Sequence, residues 1–169
     1  IKAALLGCRE GSSRGGREVP VAVSGTIEAS GTMLAGQTAD ALAVSLAHAD
    51  LLYLGLNCAT GPDFMTDHIR TLSELARTFT ACVPNAGLPD ENGCYLETPE
   101  TIARVLERFV DEGWVNLVGG CCGTTPEHIK AIAEIVARCR PRVTPTIEPK
   151  LRLSGLEPLT IGPDTNFVN

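Results

Sequence analysis

Three cysteines carry the chemistry this sequence could do. Two are adjacent and framed by glycine, Gly119-Gly120-Cys121-Cys122-Gly123, at the end of an apolar run. The third, Cys58, closes another apolar run well upstream. A single buried cysteine behaves as a small hydrophobe. Two neighbours on a strand point to opposite faces unless the backbone turns, and the flanking glycines permit that turn. Three thiols gathered in one place suit a soft metal, and zinc held by three protein ligands keeps one position for a reactant. Taken alone, the vicinal pair also fits a structural or redox role. Gly119 and Gly120 could equally mark a phosphate cradle, but the cysteines directly after them favour a metal.

The other candidate ligands compete poorly. Cys8 and Cys139 fall on helical sequence, Cys82 lies mid-strand and Cys94 sits in an Asn92-Gly93-Cys94 loop, so all four read as packing or surface residues. His48, His68 and His128 fall on helical stretches without metal-ligand spacing, which predicts helix-surface roles.

The elements that must position the thiols alternate. Apolar runs at 19–27 (VPVAVSGTI), 51–58 (LLYLGLNC), 79–86 (FTACVPNA) and 115–122 (VNLVGGCC) suit strands buried on both faces, and each ends in small or polar residues. Between them lie helical patterns. Thr98-Pro99-Glu100 and Thr125-Pro126-Glu127 each give an N-cap, a proline at the first position and an acidic first turn. Ile102, Val105, Leu106, Phe109 and Val110 follow the first, with Gly113 as the stop; Ile129, Ile132, Ala133 and Val136 follow the second. A third helix opens at Gly61-Pro62-Asp63 and a fourth spans about 38–48. Residues 1–10 read as the tail of a further helix and 11–17 as a polar loop. Such an alternation predicts α/β architecture with a parallel sheet. A doubly wound sheet and a (β/α)8 TIM barrel both fit. The barrel is favoured because the reactive residues end strands and no G-x-G-x-x-G turn opens a helix.

Composition narrows the class. The 169 residues are 44% hydrophobic and 20% charged, enough to build a core. A net charge of −6 argues against nucleic acid, and no run approaches the roughly 18 apolar residues of a membrane span. Seven unevenly spaced cysteines in such a sequence suggest reduced thiols in a cytoplasmic protein. Beginning at Ile1 on helical sequence, the chain reads as a piece of something longer, with half a barrel upstream. After Arg140, prolines 141, 145 and 149 predict an extended linker.

With these motifs in view, the chain resembles the homocysteine S-methyltransferase family, a family of zinc-dependent barrels. GLNCATGPD around Cys58, PNAGLP at 84–89, VGGCCGTTPEHI at 118–129, and SGTI, ASG and GQT between Ser24 and Thr38 carry the resemblance. The tail RLSGLEPLTIG at 152–162, with NFVN after it, is similar to the cobalamin-dependent methionine synthase branch. The resemblance implies zinc ligands at Cys58, Cys121 and Cys122, and homocysteine as substrate. It implies methylcobalamin on another module as donor, regenerated from 5-methyltetrahydrofolate, with S-adenosyl-L-methionine associated with the same branch. The domain layout it implies is the C-terminal half of a homocysteine-binding barrel at 1–140, a linker at 141–155 and the start of a pterin/folate-binding module at 156–169. A free-standing methyltransferase using betaine or S-methylmethionine, and a non-enzymatic thiolate metal-binding or redox-sensing domain, are the alternatives.

Methylating a thiol needs a thiolate, because a thiol of pKa near 8.5 is mostly protonated at neutral pH. Zinc deprotonates a coordinated thiol, and three cysteinates leave the centre electron-rich, so the substrate sulfur keeps its nucleophilicity. Asn85 ends the third run and should face the same mouth, either filling the open metal position and meeting substrate or forming a local turn. Ser24 and Thr26 end the first run and are expected to bond the amino acid head of homocysteine, or to serve the local backbone.

Overall fold

The computed structural model describes residues 1–166. Strands β1 (Val23–Gly25), β2 (Tyr53–Cys58), β3 (Phe79–Pro84) and β4 (Leu117–Val118) form one parallel sheet in chain order. Five helices accompany them: α1 (Lys2–Gly15), α2 (Ala39–Leu46), α3 (Thr66–Leu75), α4 (Pro99–Asp111) and α5 (Pro126–Val136). Helix α2 packs on α3, α3 on α4, and α4 on α5. The crossovers therefore return on one face, as right-handed connections do when strand order never reverses. The four strands thus lack the order reversal of a doubly wound sheet and are consistent with part of a barrel.

The core lies between that face and the helices. Leu54, Leu56 and Cys82 meet Leu42, Ile69, Leu72, Ile102, Leu106 and Phe109 there. Local sequence sets the helix starts. Thr98 and Thr101 exchange side-chain and backbone hydrogen bonds in a capping box that brackets Pro99. The opposite face carries Ser24 from β1, Phe79 from β3 and Leu117 from β4, all exposed. Among the described residues no helix is long and apolar enough to cross a membrane.

Several expectations change in detail. The polar residues from Gly11 continue α1 rather than forming a loop, and the helix stops only at Gly16, which takes φ 63°. It buries none of its residues fully; Leu5 alone among them packs, half-buried, against the core. Strands β1 and β4 are shorter than their apolar runs, yet pairing continues past β4: Gly119 N donates to Cys82 O (3.2 Å) and Cys121 N to Pro84 O (2.8 Å). In α5 the inward residues are His128, Ile132 and Ile135, while Ile129, Ala133 and Val136 face out.

The proline-spaced stretch after Arg140 is extended but not free. Arg142 is 4% exposed. Its guanidinium donates to the carbonyls of Ser73 (3.1 and 2.6 Å), Ala76 (2.8 Å) and Thr78 (2.9 Å) at the end of α3. Beyond it, β5 (Arg152–Ser154) and β6 (Pro158–Thr160) pair antiparallel and lie on α2. Ser154 Oγ donates to Ala41 O (2.8 Å), and Thr38 N donates to Leu156 O (3.0 Å). The final residues of the NFVN match, 167–169, lie outside the described residues.

Candidate metal centre

In a parallel sheet all carboxyl strand ends lie at one rim. Cys58 is the last residue of β2, and Cys121 and Cys122 follow β4. Strand β3 stands between them, so the thiols meet above its end. Cys58 Sγ lies 2.8 Å from Cys121 Sγ and 3.6 Å from Cys122 Sγ, and the vicinal pair is 3.8 Å apart. Among the described residues these three form a group able to hold a metal ion. A tetrahedron with Zn–S bonds of about 2.3 Å has an edge of about 3.8 Å. Two of the three separations match that edge; the third needs Cys58 and Cys121 to part by about 1 Å. The donor set therefore fits zinc in element, and in spacing for two of its three pairs.

Backbone shape brings the thiols there. Cys58 and Ala59 take φ 58° and 72°, a left-handed pair without glycine, which costs roughly 1–3 kcal/mol per residue. Their geometry is held from β3. Asn85, 5% exposed, accepts from Gly61 N (2.8 Å) at Oδ1 and donates from Nδ2 to Ala59 O (2.9 Å) and Gly87 O (2.7 Å). Both its hydrogens and one oxygen lone pair go to backbone, so the structure gives this amide the turn-forming arrangement and does not aim it at the thiols. Ala86 N, next along, donates to Cys122 O (2.9 Å). Gly120 is explained by Thr124, whose hydroxyl would stand 2.5 Å from a Cβ there and which donates to Cys121 O (2.7 Å) to close the turn.

The thiols are electrically unlike. Burial works to raise Cys58, but hydrogen bonds with Cys121, Cys122 and Asn57 outweigh it, and its pKa falls below the ordinary value. Burial and the hydrogen bond to Cys58 push Cys121 up to about 11. One sulfur thus takes the first negative charge and its neighbour resists a second, as expected of close like charges. A divalent cation removes that conflict.

Around the cluster, Ser24 lies on the open face and donates to Asn57 Oδ1 (2.6 Å). Thr26, half-buried, lies just past β1 and makes no side-chain hydrogen bond among the described residues. Cys8 and Cys94 are exposed. Cys82 is wholly buried, and burial alone raises its pKa. His128 departs from expectation, being buried rather than on the surface. Two further contributors had no strong signal in the sequence. Asn57 is a polar residue on an apolar strand, placed one before Cys58, and Tyr95 lies in the long connection after β3.

A one-layer parallel α/β sheet with three thiols at its carboxyl rim defines a framework for enzymes that gather their chemistry from strand ends. The model of the homocysteine S-methyltransferase family matches residues 1–136, which include every strand of that sheet and all three thiols. The chain belongs to that family, and it is a methyltransferase domain whose family substrate is homocysteine.

Proposed function

We propose that the chain is the zinc-carrying, homocysteine-activating part of a cobalamin-dependent methionine synthase. The convergence of Cys58, Cys121 and Cys122 from two strand ends, within this family, carries the reading. When bound by these three residues, zinc supplies a deprotonated and oriented homocysteine thiol as nucleophile for a methyl group. The chain's own residues do the rest. Asn85 holds the strained Cys58–Ala59 turn, and the Cys121–Thr124 turn fixes the vicinal pair. Ser24 and Thr26 are the proposed contacts for the amino acid head, with Ser24 already oriented by Asn57. Asn85 would reach substrate through the loops it binds.

The finer placement has its own support. The open sheet face bearing Phe79 and Leu117 suits half of a (β/α)8 TIM barrel, to be closed by further strands. In this reading residues 1–140 are that half, 141–155 the linker and 156–169 the start of a pterin/folate-binding module. The methyl donor would be methylcobalamin on another module, recharged from 5-methyltetrahydrofolate. Free thiols throughout fit a reducing, cytoplasmic setting.

X-ray absorption on the zinc-loaded chain tests the reading. The expected result is three sulfur neighbours, and four once homocysteine is added. A sulfur count unchanged by saturating homocysteine would overturn it.

A further inference from the structure

His128 is the third residue of α5 and only 6% exposed. Its Nδ1 lies 3.1 Å from Thr125 N, a backbone donor that can only give a hydrogen, so the ring proton sits on Nε2. That N–H donates to Glu97 O at 3.0 Å. Capping α5 requires the first bond alone. The second crosses to the connection between β3 and α4.

What it reaches adjoins the thiols. Tyr95 lays its ring against Gly123, where an added Cβ would stand 2.2 Å from the ring; Gly123 follows Cys122 directly. Glu97 N donates to Ala86 O (3.2 Å), and Ala86 N donates to Cys122 O (2.9 Å). Cys122, Thr125, His128, Glu97 and Ala86 therefore form a closed circuit, covalent on one side and hydrogen-bonded on the other. The imidazole is the only side chain in that circuit.

We propose that His128 is a positioning residue for the thiol centre: by fastening Glu97 to the start of α5, it fixes the Cys121–Cys122 turn and the Tyr95 wall beside it. The proposal rests on the reading of Cys58, Cys121 and Cys122 as a metal site. Its effect passes through backbone and not through contact with the reactant.

Two conservative variants divide the imidazole. His128→Asn puts an amide oxygen near the place of Nδ1, keeping the cap but falling short of Glu97. His128→Gln reaches the place of Nε2 with its amide nitrogen and donates to Glu97 O. The chain is titrated with Co²⁺ alone, following the thiolate charge-transfer and d–d bands, and thermal melts are recorded in parallel. The expected result is about tenfold weaker Co²⁺ binding with altered d–d bands in His128→Asn despite a near wild-type melt. His128→Gln should bind within about twofold of wild type even if it melts earlier. Wild-type bands and affinity in His128→Asn would make the residue a helix cap only and overturn the proposal. Loss of affinity that merely follows the unfolded fraction in both variants would do the same. A wild-type chain that takes up no Co²⁺ would overturn the metal reading and this proposal with it.

Discussion

Asn85 and Arg142 do the same kind of work at opposite ends of the sheet. Each is a buried polar side chain whose hydrogen bonds go to main chain. At the amino end, Arg142 meets carbonyls of Ser73 and Ala76 at the carboxyl terminus of α3, where the helix dipole favours a cation. It fastens the segment after α5 to the turn before β3. At the carboxyl rim, Asn85 holds a different object. Cys58 and Ala59 are the two non-glycine residues at positive φ among those described, and Asn85 bonds the carbonyl of the second. One clamp joins relaxed elements, while the other maintains a strained turn beneath a thiol of the cluster. The same physical device thus secures stability at the base and geometry at the rim.

The comparison can be broken most sharply at the thiols. Cys121→Ala should lose nearly all bound zinc, while Cys94→Ala, exposed and outside the three-thiol group, should retain it. Zinc affinity should also fall as pH falls. With its pKa at about 11, the Cys121 thiol is protonated at neutral pH and must release its proton to bind, so acid opposes binding. Inductively coupled plasma analysis and a pH series of zinc competition would check both; full zinc retention in Cys121→Ala would end the three-thiolate site.

The two clamps come next. Arg142→Ala should destabilise the fold by about 3–5 kcal/mol, because buried carbonyls lose their donors, with zinc affinity unchanged below the melt. Asn85→Ala should cost less stability, about 2–3 kcal/mol, yet weaken zinc roughly tenfold. Denaturant unfolding together with zinc competition separates them. Equal zinc affinity in the two folded variants would erase the distinction between base and rim. The smallest effect is expected at Thr98→Ala, which removes the cap of α4 and should cost about 1 kcal/mol. Thermal denaturation checks it, with no change expected in metal binding.

Much of this could be read from residue order alone. The four apolar runs, the two Thr-Pro-Glu helix starts and the stop at Gly113 are local codes, and strands and helices stand where those codes put them. The three cysteines that converge stand out in the sequence too, because an adjacent pair in a glycine frame and a third thiol closing another apolar run are unusual as packing residues. Sequence could not choose between one-face and two-face winding. That depends on the order in which strands pair, and identical local alternation permits either.

Nor could it fix where polar side chains turn. Asn85 and His128 were placed on the right elements, but their partners at Ala59, Gly61 and Glu97 come from other segments. Arg142 showed no signal at all, since a guanidinium in a proline-rich stretch looks solvated until the end of α3 arrives beside it. Local propensity is settled by near neighbours, whereas burial and hydrogen-bond satisfaction are settled by groups brought together from far along the chain. Sequence therefore determined the elements and the thiols, and tertiary packing decided which polar groups hold those thiols in place.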